Sequence, residues 1–313
     1  MDVKIVVIGG GSTGLVYGSK LSQICDTHIL VRRDEQAIAI NADGTKLERP
    51  DGIESFHPTA TTDVSILKQA DLAIGLTKCG DAISIAEIFA ENSKPGSVFL
   101  CLHNGLGTLD LYNKVIGQEN VIGGVTYLGA NRLNDTTAKL GVSVRTVIGE
   151  QSGEESERLL EIAKIFSDAG FKTETSKSVQ NLIWDKLVLA VGQHALCAIT
   201  GLSFKQIRDS DNLLAISQEL LNETQAVAST QGINFEDSLM DRVIANLEFG
   251  SDHYSSMYQD LKAGRTTEID FINGAISELG TQNSIPTPVN DTITNLVHAL
   301  ESKNEGKSTQ RLK

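Results

Sequence analysis

Three glycines at fixed spacing, Gly9, Gly11 and Gly14, follow the β-branched run KIVVI over 4–8 and precede apolar residues at helical spacing over 15–24. A run of five is too brief for a helix and reads as a buried strand. The loop Gly9-Gly10-Gly11-Ser12-Thr13-Gly14 then offers a tight turn, close backbone approach and a helix N-terminus whose free N–H groups and positive dipole end face outward. Those are the requirements of a dinucleotide pyrophosphate; the plain alternative is a structural glycine turn. No Gly-Lys-Ser/Thr follows, which excludes a P-loop. Residues 28–31 (HILV) resume strand character, giving a strand-helix-strand unit in about thirty residues and implying a parallel sheet. An acidic residue at the end of the second strand would read a free ribose 2′-hydroxyl, but Arg32 and Arg33 stand there and favour the 2′-phosphate of NADP(H). Two solvated surface arginines are the alternative, and Asp34 just beyond keeps NAD(H) open.

The elements that must position this loop extend the same pattern. Strands are expected at 72–76 (LAIGL), 98–102 (VFLCL) and 121–127, with helices at 81–90 and 108–116 between them, the alternation of a doubly wound sheet. Residues 139–148 (KLGVSVRTVI) alternate as antiparallel strands added to that sheet. An amphipathic helix follows at 152–169 and a last β stretch at 171–175. Thereafter helices are expected at 179–199, 213–231, 235–247, 267–281 and 289–302, with a frayed polar end at 304–313. An α/β domain, 1–176, thus precedes an all-α domain, 177–313.

The 313 residues suit two domains, each burying its own core. With 27 Lys+Arg against 40 Asp+Glu the net charge is −13, and no basic run is segregated, so nucleic acid is a poor partner. Cys25, Cys79, Cys101 and Cys197 lack metal-knuckle or dithiol spacing and read as reduced, buried residues, with no metal expected. The start lacks the basic flank and apolar length of a signal peptide, and no uninterrupted apolar stretch approaches the ~20 residues of a membrane span. The cytoplasm is the expected address, without a membrane partner.

Five segments in order resemble the ketopantoate reductase (2-dehydropantoate 2-reductase) family over nearly the whole chain. They are the GGGSTG loop, Thr77-Lys78, His103-Asn104-Gly105-Leu106-Gly107, Trp184-Asp185-Lys186-Leu187, and the pair SSM…QD from Ser255 and TEIDFING from Thr267. The resemblance implies a Rossmann domain and a helical domain like the C-terminal domain of 6-phosphogluconate dehydrogenase. It also implies NADPH-dependent reduction of ketopantoate to pantoate, on the route to pantothenate and coenzyme A. By that resemblance Lys186 is the proton donor. An ammonium beside the carbonyl oxygen would stabilise the alkoxide left by hydride addition, and desolvation would lower its pKa towards useful values.

Glu268 matches the family glutamate near the cofactor ribose and the catalytic centre, and could otherwise be a helix-dipole partner. Asn104 matches an asparagine shared by substrate and nicotinamide, or is a polar turn residue. Ser256 would hydrogen-bond the substrate, and Lys78 and Ala130 align with cofactor contacts. Helical domains of this type can pair as homodimers.

The chain departs from the family where two substrate-holding asparagines, four and eight residues after the lysine, are replaced by Ala190 and His194. On a helix these lie ~40° and ~80° from Lys186, and Gln193 only ~20°. His194 or Gln193 could supply a donor, or His194 could be a packed core residue. Losing both amides weakens the case for ketopantoate more than that for a 2-oxo acid. The alternatives are a family paralogue with another carbonyl substrate and a non-catalytic NADP-sensing module.

Overall fold

The computed structural model describes residues 3–141, 145–250 and 252–310, with side chains through residue 303. Parts of the expected stretches at 139–148 (142–144) and 304–313 (311–313) lie outside the described residues, as do residues 1–2. Packing divides the chain into two compact units, Met1–His103 with Thr108–Leu182, and Asn104–Gly107 with Ile183–Lys313.

In the first unit the order is β1 (Lys4–Ile8), α1 (Ser12–Leu21), β2 (Asp26–Leu30), α2 (Asp34–Asp43), β3 (Thr45–Arg49), β4 (Gly52–Phe56), β5 (Thr59–Thr61) and β6 (Leu72–Gly75). Then come α3 (Ala82–Asn92), β7 (Val98–Cys101), α4 (Thr108–Ile116), β8 (Val121–Thr126), β9 (Ala130–Arg132), β10 (Thr137–Leu140), β11 (Arg145–Gly149), α5 (Glu157–Asp168) and β12 (Lys172–Thr175). Eight strands form one sheet in the order β12-β11-β8-β7-β6-β1-β2-β5. Its pairs are parallel except β8 with β11. The central strands are near-continuous apolar runs because both faces are covered. The chain moves from β1 outward through β2 and β5, then returns to β6 on the other side of β1. That reversal places the switch point, where α/β sheets bind ligands, at the carboxyl ends of β1 and β6.

The expected doubly wound sheet is present, with one correction. Of the 139–148 stretch only β11 joins the main sheet; β10 pairs parallel with β3 and antiparallel with β9 in a second sheet, β4-β3-β10-β9. Helix α1 packs against β1 and β2 on one side and β3, β9 and β10 on the other. Every residue of α1 from Gly14 to Leu21 is therefore buried, Lys20 among them. Tyr17 reaches through to bond Thr126 Oγ1 at 3.0 Å, and Ser19 bonds Thr45 Oγ1 across to β3 at 2.6 Å.

The second unit is helical: α6 (Val179–Thr200), whose first residues belong with the first unit, then α7 (Phe204–Arg208), α8 (Asp211–Thr230), α9 (Leu239–Phe249), α10 (Ser256–Lys262), α11 (Asn273–Gln282) and α12 (Pro288–Gln310). Serine side chains cap four consecutive helices of this order: Ser203, Ser210, Ser238 and Ser255 accept first-turn N–H groups of α7 to α10. Proline opens α12, where its missing N–H costs nothing. Trp184, Leu187, Val188, Val191 and Leu196 bury α6 in the core. At 22 residues α6 is long and apolar enough to span a bilayer by composition, but 61% of its most apolar window is buried inside the protein, as in a core helix. The expected helix at 267–281 is broken: a 3-10 turn at Ile269–Phe271 precedes α11, with Ile272 at φ −114°, ψ −97° between them.

Gly14 sits where α1 crosses the end of β1, and a Cβ there would stand 1.8 Å from the Gly9 carbonyl oxygen. Gly14→Ala therefore forces backbone apart. We expect it to lower unfolding free energy by about 3 kcal/mol, read as a fall in the urea midpoint at constant m-value.

Candidate active site

In the first unit, Gly9 lies at the switch point, its Cβ position 2.8 Å from the Leu76 carbonyl oxygen and 3.2 Å from the Thr77 nitrogen. The glycine loop and the Thr77-Lys78 turn after β6 are thus neighbours, as a shared ligand would need. Gly11 is the N-cap of α1, with no side-chain cap and no acid in the first turn. The N–H groups of Ser12, Thr13 and Gly14 precede the first intrahelical bond, made by Leu15 to Gly11, so the dipole end is uncompensated. A Cβ at Gly11 would meet nothing within 4 Å, leaving an open approach to the backbone. The loop fits a dinucleotide pyrophosphate.

Arg32 follows β2 with its side chain 87% exposed, 3.6 Å from Asp81. Asp34 is turned into the first turn of α2, where its carboxylate accepts from Thr62 Oγ1 at 2.6 Å. Ala130 opens β9, half-buried and paired with Leu140, and no hydrogen bond ties it to the glycine loop. Two residues on, Arg132 Nη1 donates to the Gly10 carbonyl at 3.4 Å, and Gln36 Nε2 donates to the same oxygen at 2.8 Å. Gln36 and Arg132 carry no motif in sequence; only the packing of α2 and β9 against the loop reveals them.

In the second unit, the four residues Asn104–Gly107 pack with the helices. The Leu106 N–H donates to the Phe271 carbonyl oxygen at 2.8 Å, and Gly105, at φ +77°, leaves that oxygen only 2.1 Å from where a Cβ would stand. This pins Asn104 between two charged groups. Lys186 Nζ on α6 donates to Asn104 Oδ1 at 2.6 Å, and Asn104 Nδ2 donates to Glu268 Oε2 at 3.3 Å. The amide is oriented by its partners, its acceptor on the cation and its donors on the anion. Glu268 is buried and precedes the 3-10 turn, but its side chain makes no cap bond.

The remaining expected site residues are placed differently. Ser256 is exposed in the first turn of α10, whereas Ser255 is buried, capping Tyr258 N–H and donating to the His194 carbonyl at 2.9 Å. His194 is half-buried and stacks on Phe204, ring centroids 6.2 Å apart. Ala190 is buried, and Gln193 Nε2 is held by Asn246 while its buried Oε1 has no hydrogen-bond partner.

A glycine loop at the switch point of a parallel sheet, with an ammonium aligned through an amide to a carboxylate, is the equipment of a dinucleotide-dependent carbonyl reductase. Comparison with known proteins agrees. Residues 5–153 match the family model described as ketopantoate reductase PanE/ApbA, and 178–301 match its C-terminal model. The 2-dehydropantoate 2-reductase of Pyrococcus abyssi is 30% identical over 97% of this chain and 100% of its own length. That of Halobacterium salinarum is 28% identical over 96% and 99%. Among solved structures, a PanE/ApbA family ketopantoate reductase from Ralstonia eutropha has a TM-score of 0.90 at 28% identity, covering 97% of this chain and all of its own. D-mandelate dehydrogenase with NADH and anilino(oxo)acetate has a TM-score of 0.89 at 26% identity, with the same coverage. The chain belongs to the ketopantoate reductase family, and is an oxidoreductase that acts on CH–OH groups with a nicotinamide dinucleotide.

Helix α12 holds the segment carrying Glu268. Glu301 accepts the Thr267 N–H at 2.7 Å and His298 Nδ1 at 3.1 Å, while His298 Nε2 reaches Asp270 at 2.9 Å. Burial disfavours the charged imidazole, but the Glu301 hydrogen bond and the Asp270 charge outweigh it and raise the pKa. A pKa raised by folding contributes stability fully below the unfolded value of about 6.5, and the contribution is lost as pH rises through the folded value. The stability gap between wild type and His298→Gln, from urea midpoints across pH, should be widest below about pH 6.5 and close on the alkaline side.

Proposed function

We propose that this protein is an NADPH-dependent reductase of a 2-oxo acid, ketopantoate or a close analogue, with Lys186 as the proton donor. The observation that carries the reading is the Lys186–Asn104–Glu268 hydrogen-bond chain. When bound, the reduced nicotinamide supplies a hydride to the carbonyl carbon. Lys186 Nζ has three donors, one of them directed by Asn104; another, on the carbonyl oxygen, stabilises the developing alkoxide and hands it a proton. Glu268, acting through the amide, keeps Asn104 from rotating its Oδ1 away from the lysine. Gly9, Gly10, Gly11, Ser12, Thr13 and Gly14 would hold the pyrophosphate, with Lys78 beside them. Ser256 would meet the substrate from α10.

Preference for NADPH is supported by Arg32, whose mostly exposed guanidinium has one carboxylate at 3.6 Å, and by Asp34, which Thr62 already engages. Four buried cysteines, outside any disulfide, suit a reducing cytoplasm.

A second reading has an observation of its own. Ala190 and the stacked His194–Phe204 pair present small and aromatic surface where amides hold substrate in the family, which suits a 2-oxo acid with a bulkier apolar substituent. The likeness to D-mandelate dehydrogenase points the same way.

Following NADPH absorbance with ketopantoate and with phenylglyoxylate separates the two: the preferred acid is the one with the higher kcat/KM, and turnover of neither sinks both. Lys186→Ala should cut kcat about 10²–10⁴-fold while dinucleotide affinity, from fluorescence titration, stays unchanged. Retained kcat would remove Lys186 from the proposed role.

A further inference from the structure

We propose that Asp135, in the turn between β9 and β10, tunes discrimination between the 2′-phosphorylated and 2′-hydroxyl dinucleotides by neutralising Arg33 and Arg132 beside the glycine loop. The proposal rests on the dinucleotide reading of the first unit. Its starting point is the carbonyl of Gly10, which accepts from Gln36 on α2 and from Arg132 on β9. Gln36 Nε2 also reaches the Asp135 carbonyl at 3.1 Å, so the β9–β10 turn is fastened to the loop through one amide. The Asp135 carboxylate accepts a hydrogen bond from Arg33 Nη2 and lies 3.6 Å from Arg132 Nη1.

Arg33 immediately follows Arg32 at the end of the second strand, the place in this fold where the ribose 2′ position is read. There Arg33 and Arg132 share one carboxylate, while Arg32 faces Asp81 instead. A 2′-phosphate brings a charge of about −1.5 to −2. It meets Arg33 and Arg132 only in competition with Asp135, whereas a 2′-hydroxyl gains no charge attraction from either. All three side chains are partly exposed, at 50%, 40% and 32%, so the competition is screened and modest rather than prohibitive. The turn does not need the carboxylate: Asn134 Oδ1 accepts the Thr136 and Thr137 N–H groups at 2.9 and 2.8 Å, and the contact to Gln36 uses the Asp135 main chain. Asp135→Asn thus removes charge while leaving the scaffold.

Calorimetric dissociation constants for NADPH and NADH, and for the fragments adenosine 2′,5′-bisphosphate and 5′-AMP, test this on the full chain. Asp135→Asn should tighten NADPH and the bisphosphate about three- to tenfold, with NADH and 5′-AMP nearly unchanged and the gain shrinking as salt rises. Arg132→Gln should shift the same ratio in the opposite direction. An unchanged ratio in both folded variants, or weaker NADPH binding by Asp135→Asn, overturns the proposal. If the wild type shows no preference for NADPH, the cofactor choice proposed above fails, while the effect of Asp135 on the ratio remains measurable.

Discussion

The carbonyl oxygen of Phe271 decides where Asn104, and with it the Lys186–Asn104–Glu268 hydrogen-bond chain, can be. It takes the Leu106 N–H and occupies the space of a residue-105 side chain, so only glycine at position 105, in a left-handed conformation, lets the tetrapeptide lie down there. Asn104 is carried with it, and its amide becomes the link between Lys186 on α6 and Glu268 before the 3-10 turn. The break at Ile272, which ends that turn before α11 begins, belongs to the same arrangement: a continuous helix through 267–281 would direct the Phe271 carbonyl into its own ladder rather than towards Leu106.

Charge is handled locally in a chain whose net charge is −13. The N-terminus of α1 has neither acid nor side-chain cap, and the arginines after β2 and in β9 gather beside it. Elsewhere a buried acid is matched on the spot: Glu150, at 7% exposure, is held by Arg158 and Ser156, and its pKa is lowered because those bonds outweigh its desolvation. A net negative protein can therefore receive a polyanionic cofactor at one rim of one sheet, since partly screened charges act over about a Debye length rather than across the molecule.

Apolar spacing over 15–24 marks helix α1 but does not show that it is covered on both sides. Sheets cover it on both sides, so there is no polar face to give an amphipathic stripe, and its Lys20 is kept inside by the Ala169 carbonyl at 3.4 Å and the Phe171 ring. Burial and the neighbouring Arg49 lower the pKa of that lysine. The second sheet that covers α1 draws on β3, β4, β9 and β10, two pairs of short strands separated by the whole chain from Phe56 to Ala130, far beyond the reach of local patterns. The 139–148 alternation identifies a strand and says nothing about its partner, so it cannot separate β10 in the second sheet from β11 in the main one.

The glycine loop, the parallel strands, the capped helices and the family segments were legible from sequence because each depends on residues within a few positions of one another. So was the candidacy of Lys186, Asn104 and Glu268, through their segments. Their connection was not: residues 104, 186 and 268 meet only because three distant backbones pack together, and no periodicity encodes a hydrogen bond between them. The same holds for Gln36, Arg132 and Asp135 around Gly10, ordinary surface types in sequence that packing brings together. Local stereochemistry and hydrophobic spacing determine the elements from the chain alone, whereas the pairing of β10 with β3, the break at Ile272 and the alignment of an amide between two charges depend on long-range packing, which only the tertiary structure decides.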